Sequence, residues 1–221
     1  MAKSKNYPIA AVDMVVFTVE DNALKVILIK MKKKPFKNRW AFPGGRVGVK
    51  ESLDQAAQRE LYEKTGLKKV YLEQLYTFGQ VNRDPLARIV SVAYFALVNS
   101  QGIRLKTTTK YAGIDWFNVK ELPSLAYDHK EIAKVALERL RAKLEYTNIV
   151  YSLLPRYFTL SELRRVYEII LDRKLDRRNF QKKIFRLKLL RPTSQIRKGL
   201  PHRPARLYAF RKREPMIIEI L

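Results

Sequence analysis

Four stretches in the first half of the chain carry the apolar runs of strands: Ile9 to Val19, Leu24 to Ile29, Val70 to Phe78 and Arg88 to Val98. All four are rich in β-branched and aromatic residues. Between them Leu53, Ala56, Ala57 and Leu61 recur at helical spacing, which predicts a helix from Leu53 to Lys64. Ser52 caps its first turn while Gln55 reaches back, and Gly66 follows where a left-handed residue is wanted. A second helix starts after Asp128 and runs through Ile132, Val135, Ala136 and Leu140 to about Glu145. Strands mixed with two helices predict an α/β layer sandwich.

Beyond Tyr146 the pattern changes. Thr159-Leu-Ser-Glu162 is a capping box opening a helix over Leu160 to Leu171, and Asp176 caps another from Arg177 to about Lys188. Leu189-Leu190 and Leu207 to Phe210 then flank a basic loop containing Gly199, Pro201 and Pro204. Helix, turn, helix and two-stranded wing is the order of a winged helix-turn-helix. The chain is expected to divide into residues 1–145 and 146–221.

Composition narrows the chemistry. There is no cysteine and there are two histidines, His129 and His202. This excludes a disulfide framework, a Cys/His zinc site, a thiol nucleophile and most His-based triads. A metal would have to sit on carboxylates and carbonyls, which favours magnesium or manganese. Forty-five Lys and Arg face 21 Asp and Glu, a net charge of +24, so a polyanion is the first partner to consider. Residues 1–146 carry +11, and the remaining 75 carry 19 basic against 6 acidic residues, or +13. The C-terminal part is therefore about twice as densely basic. The run Ile9 to Val19 holds Asp13 and is shorter than the ~20 apolar residues that span a bilayer, so a cytoplasmic protein without membrane attachment is expected.

The helix around Glu60 poses a specific question. At about 100° per residue, Glu60 and Lys64 fall inside the arc of Leu53, Ala56, Ala57 and Leu61. An inward carboxylate needs a cation. Lys64, four residues on, has the spacing and order of a good intrahelical ion pair.

Residues 44–67 read Gly-Gly-Arg-Val-Gly-Val-Lys-Glu-Ser-Leu-Asp-Gln-Ala-Ala-Gln-Arg-Glu-Leu-Tyr-Glu-Lys-Thr-Gly-Leu. Gly45, Glu51, Arg59-Glu60-Leu61 and Gly66-Leu67 resemble the Nudix box in spacing and in nearly every fixed position. The resemblance implies a Nudix-type α/β/α sandwich and a loop-helix-loop that in the enzymes holds magnesium against a diphosphate. There the metal is gripped by the counterpart of Glu60 and by a glutamate where this chain has Lys64. Two unit charges about 4 Å apart at an effective dielectric near 20 interact by roughly 4 kcal/mol, and a divalent ion beside Lys64 would feel about twice that as repulsion. Hydrolysis is therefore expected to be impaired, with Glu60 and Glu63 as vestigial catalytic and metal-binding candidates. Gly45, Glu51, Arg59 and Gly66 are read as structural, Arg59 pairing with Glu51 to clamp loop to helix.

The resemblance extends along nearly the whole chain and narrows. Ala11 to Thr18, Trp40-Ala-Phe-Pro-Gly-Gly45, Leu72 to Gly79, Arg83-Asp-Pro85, Ser91 to Leu97, Leu125 to His129, Leu175 to Phe180 and Arg203 to Tyr208 are similar to the Nudix-related transcriptional regulators of NAD metabolism. In that family the Nudix domain commonly senses ADP-ribose or a related metabolite, some relatives sense a sugar, and degenerate boxes are common.

For a diphosphate ligand Arg46, Arg83 and Arg88 are the candidate donors, each weighed against simple surface solvation. Trp40 either stacks on a base or, as its neighbours Phe42-Pro43 favour, packs in the core. The run Lys30 to Lys37 reads as a solvated turn. In the last helix Phe180, Ile184 and Leu187 form the inward stripe, leaving Arg178, Asn179, Lys182 and Arg186 outward, a recognition-helix arrangement. Arg177, Lys198, His202, Arg203 and Arg206 are placed to meet phosphates, Arg206 alternatively serving structure.

The expected function is a homodimeric, ligand-responsive regulator that binds double-stranded DNA, senses a nucleotide or sugar effector and requires no cofactor. The rival is a magnesium-dependent ADP-ribose or nucleoside-diphosphate pyrophosphatase with a basic accessory domain, using Glu60 and Glu63. A third reading, an RNA-binding module, rests on charge alone, and no aromatic stacking platform is evident.

Overall fold

The computed structural model describes residues 7–68, 70–197, 204–218 and 220. Among these described residues nine strands and four α-helices follow in the order β1 Ile9–Glu20, β2 Ala23–Met31, β3 Trp40–Ala41, β4 Gly44–Arg46, α1 Leu53–Thr65, β5 Tyr71–Phe78, β6 Ile89–Leu97, β7 Tyr111–Asn118, α2 His129–Tyr146, α3 Leu160–Leu171, α4 Arg177–Arg186, β8 Leu190–Arg197 and β9 Ala205–Phe210. A 3-10 turn, Ile149–Ser152, separates α2 from α3.

Contacts divide the chain into two compact units. The first gathers the chain up to Phe17 with Lys25–Ala96 and Ile103–Leu137, and the second gathers Thr18–Leu24, Leu97–Gly102 and Glu138 onward. The second half of α2 therefore groups with the C-terminal helices.

Seven strands form one sheet, in the order β3-β2-β1-β6-β5, with β4 on β1 and β7 on β2. The central strands are buried almost throughout: Val12, Met14, Val15 and Val16 of β1, Ile27 and Leu28 of β2, and Ala93, Phe95 and Ala96 of β6. Strands covered on both faces read as continuous apolar runs, which is why these were plain in the sequence. β7, β3 and β4 were not anticipated. β7 is half-exposed and mixes polar with aromatic residues (Tyr-Ala-Gly-Ile-Asp-Trp-Phe-Asn), and β3 and β4 hold two and three residues.

Local chemistry sets the ends of α1. The Ser52 and Gln55 capping box forms in both directions, and Gly66 closes the helix at φ 78°, a conformation that residues with a Cβ rarely adopt. The Tyr94 hydroxyl donates to Asp54 at 2.6 Å, tying the first turn to β6.

In the second unit Thr159 and Glu162 form the expected capping box on α3, and the Asp176 side chain accepts from the Asn179 N–H at the start of α4. Tyr167 of α3 packs edge-on against Phe180 of α4, with centroids 5.3 Å apart, and Phe158 packs on Phe210 of β9 at 5.2 Å. β8 and β9 pair antiparallel with a register shift between Pro192 and Ile196. Phe158 and Tyr208 exchange backbone hydrogen bonds of 3.0 and 2.8 Å, binding β9 to the segment before α3. Asn148 fastens the C-terminal segment, donating from its side chain to Glu214 O and accepting from Met216 N–H. Among the described residues, no helix is long and apolar enough to cross a membrane.

Candidate functional site

The loop between β4 and α1 is closed by one arginine. Arg59 meets Glu51 through Nε at 2.9 Å and Nη2 at 2.6 Å, a fork-to-fork pair, and Nη2 also reaches Arg46 O at 3.2 Å. Glu51 accepts a further bond from the Gly48 N–H at 2.7 Å. The Arg59 bonds and that N–H hold the Glu51 carboxyl down to about 2, and the bonds to Glu51 and Glu60 raise the guanidinium of Arg59.

The same arginine turns to Glu60, with Nη1 2.6 Å from Oε1. The other oxygen, Oε2, lies 3.0 Å from the Lys64 ammonium. Glu60 is buried, and the Lys64 Nζ stands 5.2 Å from the centre of the Tyr111 ring. Gly45 permits this arrangement: a Cβ there would lie 2.2 Å from Glu60 Oε1. Glu63 is about half exposed and 3.7 Å from Arg59. These groups do not suit a divalent cation. Glu60 is engaged by a cation at each oxygen, Glu63 extends to solvent, and no group of three or more His, Asp or Glu among the described residues is arranged to hold a metal.

Beside the box lies a cleft of about 240 Å³, lined by Gly44, Gly45, Arg46, Lys64, Tyr111 and Tyr127 among others. Asp13 of β1 forms part of its wall and is buried. Ser91 Oγ donates to Asp13 Oδ2 at 2.6 Å, Arg83 Nη2 reaches the same oxygen at 3.2 Å, and His129 Nε2 stands 3.4 Å from Oδ1. His129 Nδ1 accepts the Phe42 N–H at 2.9 Å, so the proton belongs on Nε2, facing Asp13. Burial opposes ionisation of Asp13, but His129, Ser91 and Arg83 outweigh it and hold the carboxyl well below its ordinary value. Arg83 also grips Asp128 at 2.8 and 2.7 Å. Burial lowers its guanidinium, and Asp128 and Asp13 more than restore it.

The three candidate ligand arginines thus separate. Arg46 is exposed and lines the cleft. Arg83 lines it too, with its side chain buried and engaged by two carboxylates. Arg88 is exposed outside the cleft lining and donates to Gln80 O and Ile89 O. Trp40 is half-buried against Phe117, their rings 4.5 Å apart. A neighbouring groove of about 730 Å³ shares Arg83 and Tyr127 and is lined by Phe36, Tyr76 and Phe78. Sequence reasoning missed the network of Asp13, Ser91, Asp128 and His129. Its one visible signal was an aspartate inside a buried apolar run.

On the second unit, Phe180 and Ile184 of α4 are buried, and Arg177, Arg178, Asn179, Lys182 and Arg186 are all exposed. Leu187 is half-buried, and Phe185 is about half exposed against Tyr208. In the wing, Arg206 is exposed and Arg197 pairs with Glu162 of the α3 capping box. Lys198, His202 and Arg203 lie outside the described residues.

Residues 8–140 match the NUDIX domain family, and residues 150–210 match the NrtR DNA-binding winged helix domain. The ADPR-responsive transcriptional repressor NtrR of Acinetobacter baylyi is 36% identical over 207 residues, covering 92% of this chain and 82% of that protein. The ADP-ribose pyrophosphatase of Methanocaldococcus jannaschii is 34% identical over 128 residues, 58% of this chain and 72% of its own. Among solved structures, Shewanella oneidensis NrtR complexed with a 27mer DNA superposes with a TM-score of 0.81 at 34% identity, covering 91% of this chain and 93% of that one. The NUDIX domain of the same Shewanella protein, crystallised with ADP ribose, covers 63% of this chain and 93% of its own at 35% identity and a TM-score of 0.57. A cation-closed Nudix box, a winged helix with an exposed basic helix, and this similarity along nearly the full length place the chain in the NrtR family of Nudix-related transcriptional regulators.

Proposed function

We propose that the chain is a transcriptional repressor whose Nudix cleft takes up ADP-ribose and whose winged helix holds operator DNA. The observation that carries this reading is the Glu60–Lys64 ion pair, which converts a metal-gripping carboxylate into part of a closed charge network. A box so altered is suited to binding rather than to hydrolysis. DNA is engaged through α4, where Arg178 and Arg186 are exposed to take guanine edges, Asn179 to take adenine, and Arg177 and Lys182 to take phosphates. In this reading the repressor works in the cytoplasm as a homodimer, since one recognition helix per protomer reads half-sites a helical turn apart.

Fluorescence anisotropy with DNA from upstream of the regulated genes tests the proposal. Operator affinity should exceed that for scrambled DNA by at least ~10³ at physiological salt, and ADP-ribose should shift it. Equal affinity for both DNAs would sink the DNA half, and indifference to ADP-ribose would sink the sensor half.

The pyrophosphatase reading has one observation in its favour, the similarity of the first unit to the archaeal ADP-ribose pyrophosphatase. AMP release in magnesium that disappears in Glu60→Gln would support it.

A further inference from the structure

We infer that Lys64 binds the effector's diphosphate directly, taking the place of a divalent cation, so that this cleft recognises a diphosphate ester without metal. The inference rests on the reading of the cleft as the effector site.

Charge supplies the first step. A glutamate at position 64 would stand beside Glu60 as a second like charge in a mostly buried setting, and such a pair stays doubly ionised only with a cation beside it, otherwise sharing a proton. Lysine instead of glutamate changes the local charge by +2, the charge that the cation would have brought. The pair that results, Glu60 and Lys64 at 3.0 Å, is neutral without any ion. Arg59 holds the remaining oxygen of Glu60, so a metal entering here would have to displace a cation from each side.

Geometry supplies the second. An ammonium carries three donors and Glu60 takes one of them. The Lys64 side chain is 12% exposed, enough to line the cleft and little enough that water does not dominate its surroundings. Tyr111 supports it from one side at 5.2 Å, and Arg46 lines the same cleft. Of the cleft's two aspartates, Asp13 is held by Arg83, and Asp84 accepts from the Leu86 N–H at 2.8 Å. Arg83 also lines the cleft but is engaged by Asp13 and Asp128, so the cations left to face the space are Lys64 and Arg46, and the space of about 240 Å³ is of the size of a diphosphate with part of its substituents.

Calorimetry on the full chain tests this, with ADP-ribose as the probe in excess EDTA and again in excess magnesium. The two conditions should give affinities within about twofold of each other. Lys64→Met should weaken binding in EDTA by about tenfold or more, the effect expected of one lost charge-assisted contact. Lys64→Arg should retain most of the affinity, and Lys64→Glu should bind only when magnesium is present. Thermal melting of the same samples separates lost folding from lost binding, and Lys64→Arg preserves the Glu60 partner in either case. ADP-ribose binding by the wild type that requires magnesium overturns the inference and leaves the ADP-ribose reading standing. Unchanged affinity in folded Lys64→Met also overturns it. Inorganic pyrophosphate provides the converse: Lys64-dependent binding of pyrophosphate in EDTA, without binding of ADP-ribose, upholds the diphosphate site and overturns the choice of effector. Binding of neither probe in EDTA overturns the inference.

Discussion

Arginine has two fates in this chain. In the first unit Arg59 and Arg83 are turned inward onto carboxylates, Arg59 onto Glu51 and Glu60, and Arg83 onto Asp13 and Asp128. On α4 of the second unit Arg177, Arg178 and Arg186 are exposed, with Lys182 among them. The contrast does not extend to the whole second unit, where Arg213 bonds the carbonyls of Leu154 and Pro155, Arg197 pairs with Glu162, and Arg164 lies 3.7 Å from Glu168. Net charge alone therefore does not mark the DNA face. Cations whose donors are already engaged build the protein, and those left in solvent on one helix remain available to phosphates and base edges.

The sharpest way to break this comparison is to remove an inward arginine. Arg83→Met leaves Asp13 and Asp128 without their guanidinium, and breaking a buried pair from one side costs about 3–5 kcal/mol. Urea denaturation should show a loss of that order. A loss below about 1 kcal/mol, within the range of exposed ion pairs, would return Arg83 to the class of surface arginines. The outward arginines should behave in the opposite way. Arg178→Ala and Arg186→Ala should each weaken operator binding by about 1–3 kcal/mol if they read bases, and Lys182→Ala should reduce the salt slope by about one. Stability should stay within about 0.5 kcal/mol of the parent in all three. An exposed arginine whose removal unfolds the domain would show the two classes to be one.

Legibility in the sequence followed the same line between local and long-range chemistry. Both capping boxes and the caps at Gly66 and Asp176 were readable because their partners lie within a few residues. The Glu60–Lys64 pair was readable for the same reason, as an i,i+4 spacing on a helix whose apolar arc was plain. The Asp13 network was not. Its members come from β1, the β5–β6 connection, β6 and the start of α2, and Arg83 is 70 residues from Asp13. Nothing in the local pattern says that they meet. Arg83, Arg88 and Arg46 looked equivalent as cations near a motif, and only the fold shows that Asp128 and Asp13 engage the first, while backbone carbonyls take up the second. β7 escaped because a half-exposed strand lacks the clean apolar run of β1 or β6.

The smallest effect concerns the most exposed of the inward pairs, Glu51 with Arg59. The Arg59 bonds and the Gly48 N–H hold the Glu51 carboxyl at about 2, below its ordinary 4.5. A carboxyl lowered by folding adds stability that is fully present above its unfolded value and is lost as pH falls through its folded one. The contribution of this clamp should therefore be constant above about 4.5 and fade as pH drops towards about 2. Glu51→Gln keeps the shape and removes the titration. The difference in unfolding free energy between parent and Glu51→Gln should hold steady from neutrality into the weakly acidic range, then shrink through that acid window. Carboxyl NMR should show Glu51 titrating at its lower end. A difference that persists to the bottom of the window would mean that it does not arise from the charge of Glu51. An outward arginine of α4 offers the control: with no carboxylate paired to it among the described residues, Arg178→Ala should leave the acid limb of the stability curve where it was.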